Sequence, residues 1–147
     1  MAMTMEGEQS LPAAQQVVWN QLNDPAVLKL CIPGCESLEV IGENEFRATA
    51  TNKVGPVKIR FTGTVRLSDI DPPHSYRISG EGEGGLAGFA KGSAHVSLVQ
   101  GDEGTRLHYR VDAQIGGKLA QLGQRLINSA AKKMADDFFS RFSESVR

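Results

Sequence analysis

Between Ser37 and Ile115 apolar and polar residues alternate with a period of two. In the run from Val57 to Leu67, Val57, Ile59, Phe61, Val65 and Leu67 fall on one side. Lys58, Arg60, Thr62, Thr64 and Arg66 fall on the other. Phe46, Ala48 and Ala50 alternate in the same way with Arg47, Thr49 and Thr51. So do Leu107, Tyr109, Val111, Ala113 and Ile115 with Arg106, His108, Arg110, Asp112 and Gln114. This pattern predicts antiparallel strands with one face on an interior and one in water. Gly55-Pro56, Asp71-Pro72-Pro73 and Gly101-Asp102-Glu103-Gly104 supply turn chemistry between them. Centring two of these turns pairs Val96 with Tyr109 and Ala50 with Phe61, inward with inward. A slip of one residue would expose both pairs, so the register is specified.

The two ends of the chain read differently. Met3 to Gln9 predicts a short first strand. Ser10 as cap and Pro12 in the first turn predict a helix to about Leu22, with Val17, Val18 and Leu22 on its apolar side and Trp19 beside them. Asp24 as cap and Pro25 at the first position predict a second short helix ending near Leu30, before Pro33-Gly34. From Gly116 the period returns to that of a helix. Leu119, Leu122, Leu126, Ala130, Met134 and Phe138 recur at spacings of three and four, widened by Ile127, Ala131 and Ala135. One helix from Gly117 to Ser143 would be roughly 40 Å long at 1.5 Å per residue.

The expected fold is α+β: a curved antiparallel sheet of about seven strands wrapped around a long C-terminal helix, with two short helices after the first strand. Only the long helix is large enough to cover the apolar face of the sheet. A bent sheet closed on one helix leaves room for an apolar ligand. Phe61, Tyr76, Phe89, Val96 and Tyr109 are expected to line that space from the strands. Leu119, Leu122, Leu126, Ala130 and Met134 are expected to line it from the helix.

Composition narrows the function. A chain of 147 residues, 40% apolar and 22% charged, is expected to be one globular domain spanning 1–147. A formal net charge of -1 excludes the basic excess of a nucleic-acid binder. The N-terminus has neither a basic segment nor an apolar one, and no apolar run reaches membrane-spanning length. A cytoplasmic protein is expected. Cys31 and Cys35 are spaced C-x₃-C, not C-x₂-C, and read as two largely buried thiols beside a Pro-Gly turn. No metal or cofactor is expected. In the C-terminal segment basic residues outnumber acidic ones but are interspersed with them, as on a solvated helix face.

The 16 glycines are a clear excess. Gly80-Glu81-Gly82-Glu83-Gly84-Gly85 matches G-x-G-x-x-G, but a dinucleotide site needs a helix immediately after it. A strand follows instead, and two glutamates would repel phosphate. The segment reads as a flexible loop at the mouth of the cavity, with Gly82, Gly84, Gly85, Leu86 and Gly88 gating entry. Stiffening it with Gly84→Pro and Gly85→Pro is expected to slow ligand exchange. His74, His95 and His108 are scattered, and Ser93 has no base nearby. Tyr109, Asn52 and Tyr76 are the few inward polar candidates, so no catalytic constellation is visible and a non-enzymatic role is expected.

Several motifs carry a family resemblance. Val18-Trp19-Asn20-Gln21-Leu22-Asn23-Asp24-Pro25, Leu28 and Cys31-Ile32-Pro33-Gly34-Cys35-Glu36 open it. Val54-Gly55-Pro56-Val57 and Phe61-Thr62-Gly63 continue it, and it is densest from Gly82 to Ala94. Tyr109, Val111-Asp112-Ala113, Gly116 to Gly123, Arg125-Leu126-Ile127 and Phe138-Phe139 close it. In this order they resemble the carbon monoxide dehydrogenase CoxG family of the helix-grip superfamily, which is START-like or Bet v1-like (SRPBCC). The resemblance implies a hydrophobic cavity and an accessory role beside molybdenum hydroxylases of the CO dehydrogenase class. Such enzymes pass electrons to a respiratory chain, so a quinone or lipid-like molecule is the ligand it suggests. Some members end in a membrane segment. This sequence stops at Arg147 without one, so any membrane association is expected to run through a partner. Two other readings follow from the same resemblance: an assembly or membrane-recruitment factor without a ligand, and a small enzyme like the cyclases and lyases of this superfamily.

Overall fold

The computed structural model describes residues 1–147. Its strands are β1 (Ala2–Leu11), β2 (Cys35–Gly42), β3 (Glu45–Val54), β4 (Val57–Asp71), β5 (Ser75–Glu83), β6 (Phe89–Gln100) and β7 (Thr105–Gly116). They form one antiparallel sheet in the order β1-β7-β6-β5-β4-β3-β2. β2 to β7 are a plain meander, while β1 adds to the far edge beside β7. The helices α1 (Gln15–Leu22) and α2 (Pro25–Cys31) carry the chain from one edge of the sheet to the other. Val96 faces Tyr109 and Ala50 faces Phe61, as the alternation requires.

Two boundaries differ from the sequence reading. Ser10 does not cap a helix. It lies in β1, which pairs with β7 as far as Leu11 opposite Thr105. The Thr105 hydroxyl then donates to the Ala13 carbonyl at 2.8 Å, and this holds Pro12 and Ala13 outside the helix. α1 starts after Ala14, which has no side-chain cap. Gln15 anchors it instead: its backbone N–H donates to Gln100 Oε1 at 2.7 Å and its side-chain amide donates to the Leu98 carbonyl at 3.1 Å. Asp24 does cap α2, accepting from the Ala26 N–H at 2.9 Å, with Pro25 at the first position.

The C-terminal helix is also not continuous. A short α3 (Lys118–Gln121) precedes α4 (Gln124–Ser145), and Gly123 between them sits at φ 93°. An L side chain is strained there, so the break is glycine's. On α4 the most deeply buried residues are Ile127 and Phe142, while Met134 is 38% exposed.

The inner face of the sheet carries two apolar clusters at opposite ends of the strands. One gathers Val18 and Trp19 of α1, Phe46, Leu67, Leu107 and Phe142, with Phe138 and Phe139 packed against it. The other gathers Met3, Val54, Ile59, Ile115, Leu119 and Ile127.

Candidate functional site

Between these clusters the inward positions are small. Ala48 faces Gly63, Gly63 faces Gly82, and Gly82 faces Ala90 on successive strands. One row along, Val65 faces Gly80, Gly80 faces Gly92, and Gly92 faces Ala113. Alternation puts all of these on the inner face, where side chains would otherwise meet the helix. Their smallness leaves a recess of about 370 Å³, walled further by Phe61, Ile78, Ala94 and Val111. Gly63 also allows a close approach of strands, since a Cβ there would stand 2.6 Å from the Glu81 carbonyl oxygen.

Beside the recess lies an apolar cavity of about 260 Å³. Its fourteen lining residues are all hydrophobic and come from both sides of the fold: Leu22, Leu28 and Ile32 from the α1–α2 region, Phe138 and Phe139 from α4, and the rest from strands. Ala48, Val65 and Ile78 line both spaces and form their common wall. The only polar side-chain atom among the fourteen residues is the Tyr76 hydroxyl. Tyr76 is 3% exposed, and burial holds its ionisation far above the ordinary tyrosine range. Its ring meets Trp19 edge-on, with centroids 5.3 Å apart.

The largest hollow, about 880 Å³, is on the opposite face and is of another kind. Its wall includes Arg66, Arg77, Glu81, Lys91 and Asp112. It is the solvated outer surface of a twisted sheet, with charges of both signs.

The residues expected around the interior separate into several groups. Tyr76 and Val96 line the 260 Å³ cavity, and Phe61 lines the recess. Tyr109 is 9% exposed and stacks on Phe139, with centroids 5.4 Å apart. Its hydroxyl passes Gly7, where a Cβ would lie 2.5 Å away, into a crevice shared with Lys132 and Asp136. Burial, then the Asp136 charge, raises its ionisation. Leu119, Leu122 and Ala130 belong to the second cluster, and Leu126 covers the Gly55 turn. Met134 is 38% exposed and belongs to neither apolar cluster, because on α4 it is Ala131, Ala135 and Phe138 that pack against the core.

Phe89 is on the outer face. It shares the parity of Lys91, Ser93 and His95, is 47% exposed and lies across Gly116. Of the glycines assigned to a loop, Gly80 and Gly82 lie within β5, whereas Gly84 to Gly88 do connect β5 to β6, around the single 3-10 turn Gly85–Ala87. The Gly84 N–H donates to the Gly88 carbonyl at 2.9 Å, and Gly85 sits at φ 61°. Proline at either position would break this turn instead of stiffening it, since proline has no N–H and holds φ near -65°. Leu86 at its tip is 88% exposed.

Cys31 is 2% exposed and Cys35 is half-buried; both thiols are free, and burial raises the ionisation of each. Asn52 donates from its side-chain amide to the Pro33 carbonyl at 3.1 Å, so it holds the turn before β2. His108 pairs with Glu6 at 3.0 Å on the outer face. His74 lies 3.4 Å from the Gln15 amide. No helix is long and apolar enough to cross a membrane. Sequence reasoning missed Phe46, Leu67, Leu107 and Phe139 as cavity walls. All four have the right parity or phase, but nothing local says which end of a strand stays unfilled.

Comparison with known proteins agrees with this geometry. A conserved protein from Geobacillus kaustophilus has a similar crystal structure, with TM-score 0.93, 35% identity, and coverage of 98% of this chain and 95% of that one. An aromatase/cyclase from Streptomyces is similar at TM-score 0.69 and 15% identity, covering 99% and 94%. Ara h 8.0201 is similar at TM-score 0.68 and 16% identity, covering 99% and 98%. The last two likenesses show the helix-grip fold alone. No curated protein matches the chain. The family model for CoxG, a carbon monoxide dehydrogenase subunit, matches residues 7–147, and the chain therefore belongs to the CoxG family.

Proposed function

We propose that this protein is a non-catalytic carrier of a lipophilic molecule, held between the sheet and α4. On this reading it works in the cytoplasm as an accessory to a molybdenum hydroxylase of the CO dehydrogenase class. The observation that carries the reading is the 260 Å³ cavity walled by hydrophobic residues alone, adjoining a recess kept open by glycine and alanine. An apolar wall with one convergent polar group suits an apolar guest. A small enzyme would need acid, base or nucleophile near the guest, and the cavity offers one hydroxyl that burial keeps protonated. A quinone fits the family setting, because such a hydroxylase has to pass its electrons onward.

Native mass spectrometry and organic extraction of the purified protein test the carrier role. A bound lipophile is expected, and a reproducibly empty, water-filled interior would overturn it. A pull-down with molybdenum hydroxylase subunits, compared between wild type and the cavity-filling variant Ala48→Leu, tests the partnership. Retention of the partner with loss of the guest would separate docking from carrying.

A further inference from the structure

Tyr76 is held in an unusual way for a buried tyrosine. It faces Val96 on β6, its ring is fixed edge-on against Trp19, and the residue is 3% exposed. Its hydroxyl makes no hydrogen bond to any protein group, yet it is not sealed off from all open space. Buried tyrosine hydroxyls usually find a partner, because leaving a donor unpaired is costly. The open space that Tyr76 lines is the apolar cavity.

We propose that Tyr76 is the specificity-determining group of this cavity. Its hydroxyl donates a hydrogen bond to a neutral acceptor, a carbonyl or ether oxygen, on a guest that is otherwise apolar. The proposal rests on the carrier reading and deepens it by naming the chemical class of the guest.

Three observations converge on that class. The other thirteen lining residues offer no polar side-chain atom, so the guest has one polar contact at this end. No Lys, Arg or His lines the cavity, so a carboxylate or phosphate would be buried without a counter-charge. Desolvation keeps the Tyr76 hydroxyl protonated, which makes it a donor at any working pH. Free fatty acids and phosphorylated head groups are therefore excluded from this end. The rest of a longer guest extends past Ala48, Val65 and Ile78 toward the recess.

The test compares 2-acetylnaphthalene with 2-ethylnaphthalene, which have nearly the same shape with and without a carbonyl. Trp19 is the only tryptophan and touches Tyr76, so its fluorescence reports binding. Tyr76→Phe keeps the ring and removes the donor. It is expected to weaken the ketone roughly fivefold relative to the hydrocarbon. The melting temperature of Tyr76→Phe is expected to equal or exceed that of the wild type, since no protein hydrogen bond is lost. The anionic 2-naphthoate is expected not to bind. If both neutral probes bind and the ratio is unchanged by Tyr76→Phe, the role of Tyr76 is overturned and the carrier reading stands. A large drop in melting temperature would overturn it too, because the hydroxyl would then be serving the fold. Tight binding of 2-naphthoate would overturn the uncharged class. If neither neutral probe binds the wild type, the carrier reading falls together with this one.

Discussion

Gly80 and Gly92 stand directly opposite each other on β5 and β6, both facing inward, and alanine should have opposite effects at the two positions. A Cβ on Gly80 would meet Thr64 O at 3.7 Å and Val65 Cγ2 at 3.8 Å, which is ordinary contact. A Cβ on Gly92 would lie 2.9 Å from Ala113 Cα and closer still to the Asp112 carbonyl oxygen, so the backbone has to move. Gly80→Ala removes the entropy of glycine in a strand without strain and should stabilise by about 0.5–1 kcal/mol. Gly92→Ala should cost about 1–3 kcal/mol through overpacking. At about 3 °C per kcal/mol for a domain of this size, the first variant should melt some 1.5–3 °C higher and the second about 3–9 °C lower. Thermal and urea denaturation measure both. The recess adds a second readout. Gly80→Val projects methyl groups into the open 370 Å³ and should weaken 2-ethylnaphthalene roughly tenfold while the protein stays folded. Equal losses of stability in the two alanine variants would refute the reasoning, because both glycines would then serve the backbone and neither the open space.

Phe142→Ala should cost about 3–5 kcal/mol by denaturant titration, since Phe142 is 0% exposed and stacks on Phe138 at 5.8 Å. Met134→Ala, on the exposed side of the same helix, should stay within about 0.5 kcal/mol; a large loss there would mean that Met134 packs on the core. Phe89→Ala should leave the affinity of both naphthalene probes unchanged in fluorescence titration, because its ring is on the outer face. Glu36 is held below its ordinary pKa of 4.5, first by the hydrogen bond from Arg60 Nε at 2.9 Å. A depressed carboxylate contributes stability that is present above its unfolded pKa and lost as pH falls through the folded one. Below pH 4.5 the wild type should therefore lose melting temperature slightly faster than Glu36→Gln, by a small margin because the pair is exposed.

Much of the architecture is local in origin. Period-two alternation from Val57 to Leu67 determines which side chains face inward, and the turn positions determine register, because a one-residue slip inverts a whole face. The short helix at Asp24-Pro25 is equally local, since cap and proline act within one turn. Parity also held what was needed to place Phe89 outside, beside Lys91 and His95. Only the tertiary structure decided the rest. Gly123 breaks the C-terminal helix, and packing against the sheet takes Ala131, Ala135 and Phe138 of α4 while leaving Met134 outside. Ser10 and Pro12 carry the marks of a helix start, but pairing with β7 outweighs them, since ten residues of ladder are worth more than one cap. The glycine excess is visible in the sequence, whereas its purpose depends on neighbours far along the chain. Gly63, Gly80, Gly82 and Gly92 hollow out the inner face only because the strands align them. The polarity of Tyr76 is written in its side chain. Its isolation among thirteen hydrophobic residues, drawn from α1 to α4, arises only when the sheet closes on the helix.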